Sequence, residues 1–146
     1  MEEEIKKITQ ERDEYLAGWK RAKADLLNYK KEEAQRMRVM AEYAEQELLL
    51  KVFPILDNIE RALKEIPDQE SQVYKGFSQI LSQWREFLKS RGVEEIETVG
   101  KPFDPAVHEA VGEVDGEEPG TVAEEMEKGY MMDGRVLRPA KVKVTR

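Results

Sequence analysis

Three groups of residues have types that chemistry can use. His108 is the only histidine and has Asp104 and Glu109 as neighbours. A general base or metal ligand at this position needs a nucleophile or a second ligand at a useful spacing, and neither is present. A structural place in the turn after Pro105 accounts for it better. Gly129 and Gly134 lie close together, but no GxGxxG or GxxxxGK[ST] surrounds them and no helical pattern follows, so they do not form a phosphate cradle. Hairpin geometry, with positive φ at both, is the expectation. Arg135 and Arg138 carry the planar fork best suited to carboxylates at protein interfaces. The carboxylates of the first ninety residues interleave with Lys and Arg along a solvated face. Catalytic residues, a metal site and a cofactor are therefore not expected. The chain reads as a binding protein rather than an enzyme.

Composition narrows the class further. Charged residues make up 38% of the 146 and hydrophobic ones 40%, too little apolar content to fill a globular core of that length. The balance suits exposed helices that bury one stripe. Cysteine is absent, which rules out disulfides and fits a reducing compartment. No apolar run approaches a membrane span, and MEEEIKK is no signal peptide. A cytoplasmic, non-membrane protein is expected. The net charge of −7 is uneven: residues 92–146 hold 7 basic and 13 acidic side chains, whereas 1–51 hold 11 and 12. That balance argues against a nucleic-acid partner, which needs a clustered positive face. The acids gather at 109–127, and Arg135, Arg138, Lys141, Lys143 and Arg146 gather at the C-terminal end. Such polarity points to a protein partner of complementary charge.

The elements that must carry these residues follow from periodicity. Ile5, Ile8, Tyr15, Trp19, Ala22, Leu26 and Tyr29 keep heptad steps, with Arg12 on the seam. From Met37 the steps become four, three and four through Ala41, Ala44, Leu48, Val52, Ile55, Ile59, Leu63 and Ile66. An eleven-residue repeat straightens or reverses a supercoil. Glu33 and Arg36 make the join polar. A helix of about 50 residues extends roughly 75 Å and, with one apolar stripe, needs a second copy along it. Tyr15, Trp19 and Tyr29 thus pack across a dimer axis or, alternatively, form a stripe for a peptide. Pro54 is expected to kink or break the helix near Val52–Phe53. A second helix then runs to about Glu65, Pro67-Asp68 turns the chain, and a third helix from Ser71 to Arg91 carries Val73, Phe77, Ile80, Leu81, Trp84 and Leu88 on one face. Gly92 is placed as its C-terminal cap. Two such hairpins bury both stripes as a four-helix bundle.

After Gly92 the pattern becomes that of strands. His108 to Val114 and Thr121 to Lys128 read as strands around the acidic loop DGEEPG. Asp133-Gly134 is a hairpin signal. Arg135–Leu137 and Ala140–Val144 complete a small sheet or barrel, with Pro139 at an edge or bulge. The fold class is α+β: a long paired helix over 1–53, a helical hairpin over 54–91 and an all-β module over 92–146.

One family matches these motifs in order. Phe103-Asp104-Pro105, His108-Glu109-Ala110-Val111, Gly129-Tyr130, Gly134-Arg135, Arg138-Pro139-Ala140 and Val142-x-Val144 resemble GrpE, the nucleotide exchange factor of bacterial and organellar Hsp70 chaperones. Arg21-Ala22-x-Ala24-Asp25, Asn28-Tyr29, Pro54-Ile55-Leu56-Asp57-Asn58 and Arg61-Ala62-Leu63 match upstream, so the likeness covers about residues 15 to 144. Members usually carry a longer acidic N-terminal segment; this sequence opens almost directly into helix. The resemblance implies a parallel homodimer that binds one Hsp70 through its nucleotide-binding domain, opens the cleft and promotes ADP release in the stress response. It also implies partner contacts at Met126, Arg135 and Val144. Arg138 is open between contact and strand surface, and Tyr130 and Val142 between interface and packing. Dimerisation falls to Ile8, Tyr15, Trp19, Ala22, Leu48, Val52, Ile55, Ile59, Leu63, Phe77, Ile80 and Trp84. A different class, a coiled-coil holdase or scaffold for unfolded clients, needs apolar helix tips, and MEEEIKK is mostly charged.

Overall fold

A computed structural model describes all of residues 1–146. Two helices precede six short strands: α1 (Glu2–Lys64), α2 (Gln72–Ser90), β1 (Val93–Glu95), β2 (His108–Val114), β3 (Val122–Glu127), β4 (Tyr130–Met132), β5 (Arg135–Arg138) and β6 (Ala140–Thr145). The α+β class is as the periodicity implies. The chain divides into two compact units, Met1–Glu45 and Gln46–Arg146. No helix is long and apolar enough to cross a membrane.

In the first unit no side chain is buried. Ile5, Ile8, Tyr15, Trp19, Leu26 and Tyr29 are all exposed along the helix. The polar join is an internal pair, with Arg36 Nη2 2.7 Å from Glu33 Oε2. Lys23 and Arg36 lie over the rings of Trp19 and Tyr29 at 5.0 and 5.8 Å.

In the second unit the expected break at Pro54 does not occur: α1 runs through it to Lys64 as one helix, so the chain has two helices and not three. Proline leaves the Leu50 carbonyl without its intrahelical donor, at a cost of about 3 kcal/mol. Packing outweighs that local cost. Leu49, Phe53, Leu56 and Leu63 are all buried, and they share one core with Leu81 and Leu88 of α2 and Val93, Tyr130 and Met132 of the strands. Leu49, Phe53 and Leu56 form a second stripe, one position over from Leu48, Val52 and Ile55, and Leu63, which continues the first series, joins them in the core. Within one chain, α1 therefore turns one stripe inward and leaves Leu48 and Ile55 62% and 59% exposed. On α2, likewise, Leu81 and Leu88 are buried whereas Val73, Phe77, Ile80 and Phe87 face out. Ser71 caps α2 by accepting the Tyr74 N–H, and Gly92, with φ +75°, ends it in the left-handed conformation.

The strands form two three-stranded sheets, ordered β1-β4-β5 and β2-β6-β3. The first is antiparallel throughout. In the second, β6 lies between β2, which runs parallel to it, and β3, which runs antiparallel. Pro139 stands between β5 and β6, where the chain leaves one sheet for the other and needs no ladder N–H. Ile96, Val122, Ala140 and Val142 make the second core. Asp133 and Gly134 both take positive φ (50° and 79°), which makes the β4–β5 hairpin tight. Gly129 does not share this conformation. Its constraint is proximity: an added Cβ would meet the Ala140 backbone nitrogen and come within 2.8 Å of the Ala140 Cα. Gly129→Ala is therefore expected to destabilise the second unit by about 1–3 kcal/mol, read as a lower urea midpoint at fixed protein concentration.

Candidate protein-binding surface

His108 is buried, and both of its ring nitrogens are taken by backbone. Nδ1 accepts the Asp104 N–H at 3.0 Å, which leaves Nε2 to donate to the Glu97 carbonyl at 2.8 Å. The imidazole thus ties the 97–108 segment together and presents no free nitrogen. No three His, Asp or Glu side chains gather as metal ligands. What this surface can do is bind, through charge and exposed apolar side chains.

The module's cations divide unequally. Lys101 pairs with Glu97 at 3.0 Å, Lys128 with Glu95 at 2.9 Å and Lys141 with Glu127 at 3.2 Å. Lys143 pairs with Glu124 and Arg146 with Asp115, each at 3.3 Å. Arg138 pairs with Asp57 at 2.7 Å. Of the seven basic side chains between 92 and 146, Arg135 alone forms no ion pair within the chain. It is exposed and follows the Asp133-Gly134 turn at the start of β5. An unpaired guanidinium on an acidic module is the group most ready for a partner's carboxylate.

Arg138, at the other end of β5, is committed inward. Its Nη1 and Nη2 fork onto Asp57 Oδ2 and Oδ1 at 2.7 and 3.0 Å. Its Nε and Nη2 donate to the Lys128 carbonyl at 2.9 and 2.7 Å, and Nη1 also lies 2.9 Å from Glu127 Oε1. The side chains of Arg138 and Asp57 are only 12% and 16% exposed. Burial pulls the guanidinium down, but the Asp57 hydrogen bonds and charge outweigh it and leave Arg138 above its ordinary value. Phe53 of α1 and Tyr130 of β4 stack with centroids 4.1 Å apart. The Arg138 guanidinium lies 5.2 and 5.4 Å from the two rings, so it flanks the stack. Tyr130 is buried, and that burial raises its hydroxyl well above the ordinary value. Tyr130 and Arg138, considered from the sequence as partner contacts, are thus interior groups whose rings and donors are already in use.

Lys128 extends the network toward the helices. Burial lowers its ammonium, but Glu95, with Glu60 and Glu125, more than offsets this and raises it. Glu60 is itself raised by burial, against the lowering charges of Lys128 and Arg85. Arg85 of α2 spans Glu60 and Glu95 at 3.4 and 3.5 Å.

The remaining sequence candidates lie on the other sheet. Met126 is 50% exposed. It sits where the β3–β6 register slips between Glu125 and Glu127. It lines an open groove of about 610 Å³ together with Pro54, Asn58, Arg61 and Lys64 of α1 and Lys141 of β6. Val144 is half-buried against the second core and pairs with Val122. Of the residues assigned to dimerisation, Ile8, Tyr15, Trp19, Leu48, Ile55, Phe77 and Ile80 are exposed apolar groups, and Ala22 is exposed with them. Leu63 is in the chain's own core, and Val52, Ile59 and Trp84 pack partly against it. The Trp84 Nε1 is buried without an acceptor.

Sequence reasoning missed Phe53 as a core residue and Asp57 as the acceptor of the Arg138 fork. The available signal was the apolar series at 49, 53, 56 and 63, which leaves Asp57 on the same flank of the helix. Phe53→Ala, which removes a fully buried ring and its stack on Tyr130, is expected to cost about 3–5 kcal/mol, read by urea unfolding at fixed protein concentration.

Comparison with known proteins places this arrangement. The sequence model of the GrpE family matches residues 1–146. A relative named Protein GrpE from Geobacillus kaustophilus (strain HTA426) is 45% identical over 126 residues, covering 84% of this chain and 59% of the relative. One from Oceanobacillus iheyensis is 38% identical over 147 residues, covering 99% of this chain and 77% of the relative. One from Geobacillus thermodenitrificans is 43% identical over 126 residues, covering 84% and 57%. The chain thus spans somewhat under two thirds of the two Geobacillus relatives.

Proposed function

Because the chain belongs to the GrpE family, we propose that it is a co-chaperone that binds the Hsp70 nucleotide-binding domain, favours its open cleft and so speeds ADP release. The observation that carries the reading is the unpaired Arg135 guanidinium, exposed at a tight hairpin of a module whose other cations are all paired. Arg135 anchors a carboxylate of the partner. Met126 and Val144, on the other sheet, supply apolar contact. The groove next to Met126, with the Arg61 and Lys64 side chains on its helical wall, gives the partner a second place to touch.

Such a role requires no chemistry on this chain. A protein that binds the open form of a nucleotide-binding domain more tightly than the closed form weakens nucleotide binding by the same factor. Moving a closed-to-open balance from 99:1 to 1:99 takes about 5.5 kcal/mol of differential affinity. One arginine fork falls short of that, which is why the surface includes Met126 and the groove.

The exposed stripes support a homodimer, parallel along α1 and closed by a four-helix bundle of the 54–91 segments. Leu48, Val52, Ile55 and Ile59 follow four–three–four spacing on α1, as Phe77, Ile80, Trp84 and Phe87 follow four–three steps after Val73 on α2. A second copy covers both, and one Hsp70 engages each dimer in the cytoplasm.

Stopped-flow release of a fluorescent ADP analogue from a bacterial Hsp70 tests this. Acceleration that saturates near one Hsp70 per dimer is expected; no acceleration with a folded dimer contradicts the reading. Arg135→Ala is expected to weaken Hsp70 binding about tenfold or more and to leave the sedimenting mass unchanged. Unchanged affinity on titration contradicts the anchor assignment.

A further inference from the structure

Strand β5 carries two arginines with opposite fates. Arg135 opens the strand with a free guanidinium, and Arg138 closes it with every nitrogen engaged. The two are three residues apart, roughly 10 Å along an extended chain. Arg138 joins Asp57 of α1 across a sequence separation of 81, and it also holds the Lys128 carbonyl, in the two-residue link between β3 and the β4 strand that pairs with β5. Apart from this fork, the module meets α1 through Phe53 stacked on Tyr130, through apolar packing and through the undirected charge attraction between Lys128 and Glu60. Apolar packing permits sliding. A two-pronged ion pair of fixed plane does not.

We propose that Arg138 is the positioning residue of the docking surface: its fork on Asp57 fixes β5 to α1 and thereby sets where Arg135 stands relative to the helix. The functional half of this inference rests on the Hsp70-binding role proposed above; the geometric half does not. Binding through two separated contacts, one on the hairpin and one by the helix, gains affinity only if their spacing is fixed beforehand. Arg138 then contributes to binding without touching the partner. Lysine cannot replace it, because a single ammonium keeps the charge and loses the fork.

The absence of cysteine makes the test direct. Spin labels at Lys51→Cys and Val136→Cys, both exposed positions outside the fork, report the distance between α1 and β5. The labelled protein is diluted with unlabelled protein so that distances within one chain are read. A narrow distance distribution is expected with the native pair. Arg138→Lys and Asp57→Asn are both expected to broaden it while the circular dichroism spectrum and sedimenting mass stay unchanged. Arg138→Met is the second variant at the same position, should lysine prove poorly folded. Distributions that stay narrow in folded Arg138→Lys and Asp57→Asn proteins overturn the proposal, even where their melting temperatures fall, because a purely stabilising pair moves only the melting temperature. The same variants are titrated against Hsp70 in the ADP-release assay. The half-saturating concentration is expected to rise about tenfold, with the saturated rate retained. Broadened distances with unchanged half-saturation overturn the functional half. No response of Hsp70 to the unsubstituted protein refutes the exchange reading itself, and the distance measurement still decides the geometry.

Discussion

The second unit depends on α1 having two apolar stripes and only one of them satisfied within the chain. A helix of this kind cannot bury one face and expose the other at no cost, so it fixes two things together. The inner stripe, Leu49, Phe53, Leu56 and Leu63, draws the strands and α2 onto the helix and builds the larger core. The outer stripe, Leu48 and Ile55 foremost, stays open to water. The strength of the inner packing is visible at Pro54, where a lost backbone hydrogen bond leaves the helix unbroken. The module is thus attached to the same helix that carries the exposed stripe.

Charge then sharpens what apolar packing leaves loose. Two charges about 4 Å apart interact by about 4 kcal/mol in surroundings of intermediate dielectric, and much of that is spent on removing both from water. The Asp57–Arg138 fork therefore adds direction more than stability. Its place beside the Phe53–Tyr130 stack, and its second hold on the Lys128 carbonyl, join a helix and two strands at one point. The contrast between Arg138 and Arg135 follows: one guanidinium is spent on the chain's own architecture, and the other stays exposed and unpaired.

Much of this was legible in the sequence, for local reasons. The hairpin at Asp133-Gly134, the strand over His108–Val114 and the cap at Gly92 are set by turn chemistry and short-range alternation, and they stand where the pattern put them. His108 was legible as structural because it lacked partners for chemistry. The rest depends on contacts between residues far apart in sequence. Leu49, Phe53 and Leu56 each follow Leu48, Val52 and Ile55 by one residue, and the four–three–four series picked out only the latter. The parallel pairing of β2 with β6 joins segments some thirty residues apart, which no local pattern encodes. Gly129 looked like a turn glycine, but its requirement comes from Ala140 on another strand. Arg135 and Arg138 are the same residue type in the same strand, and only the position of Asp57 separates their roles.

If binding without chemistry is the whole mechanism, reciprocity is its signature. The most direct measurement is the affinity of this protein for a bacterial Hsp70 nucleotide-binding domain by calorimetric titration, once without nucleotide and once saturated with ADP, set beside the affinity of that domain for ADP with and without the protein. The account predicts that ADP weakens the protein's binding, and that the protein weakens ADP binding by the same factor. Equal affinity for the ADP-bound and nucleotide-free domain would contradict it, because a partner that does not distinguish the two states cannot shift the balance between them.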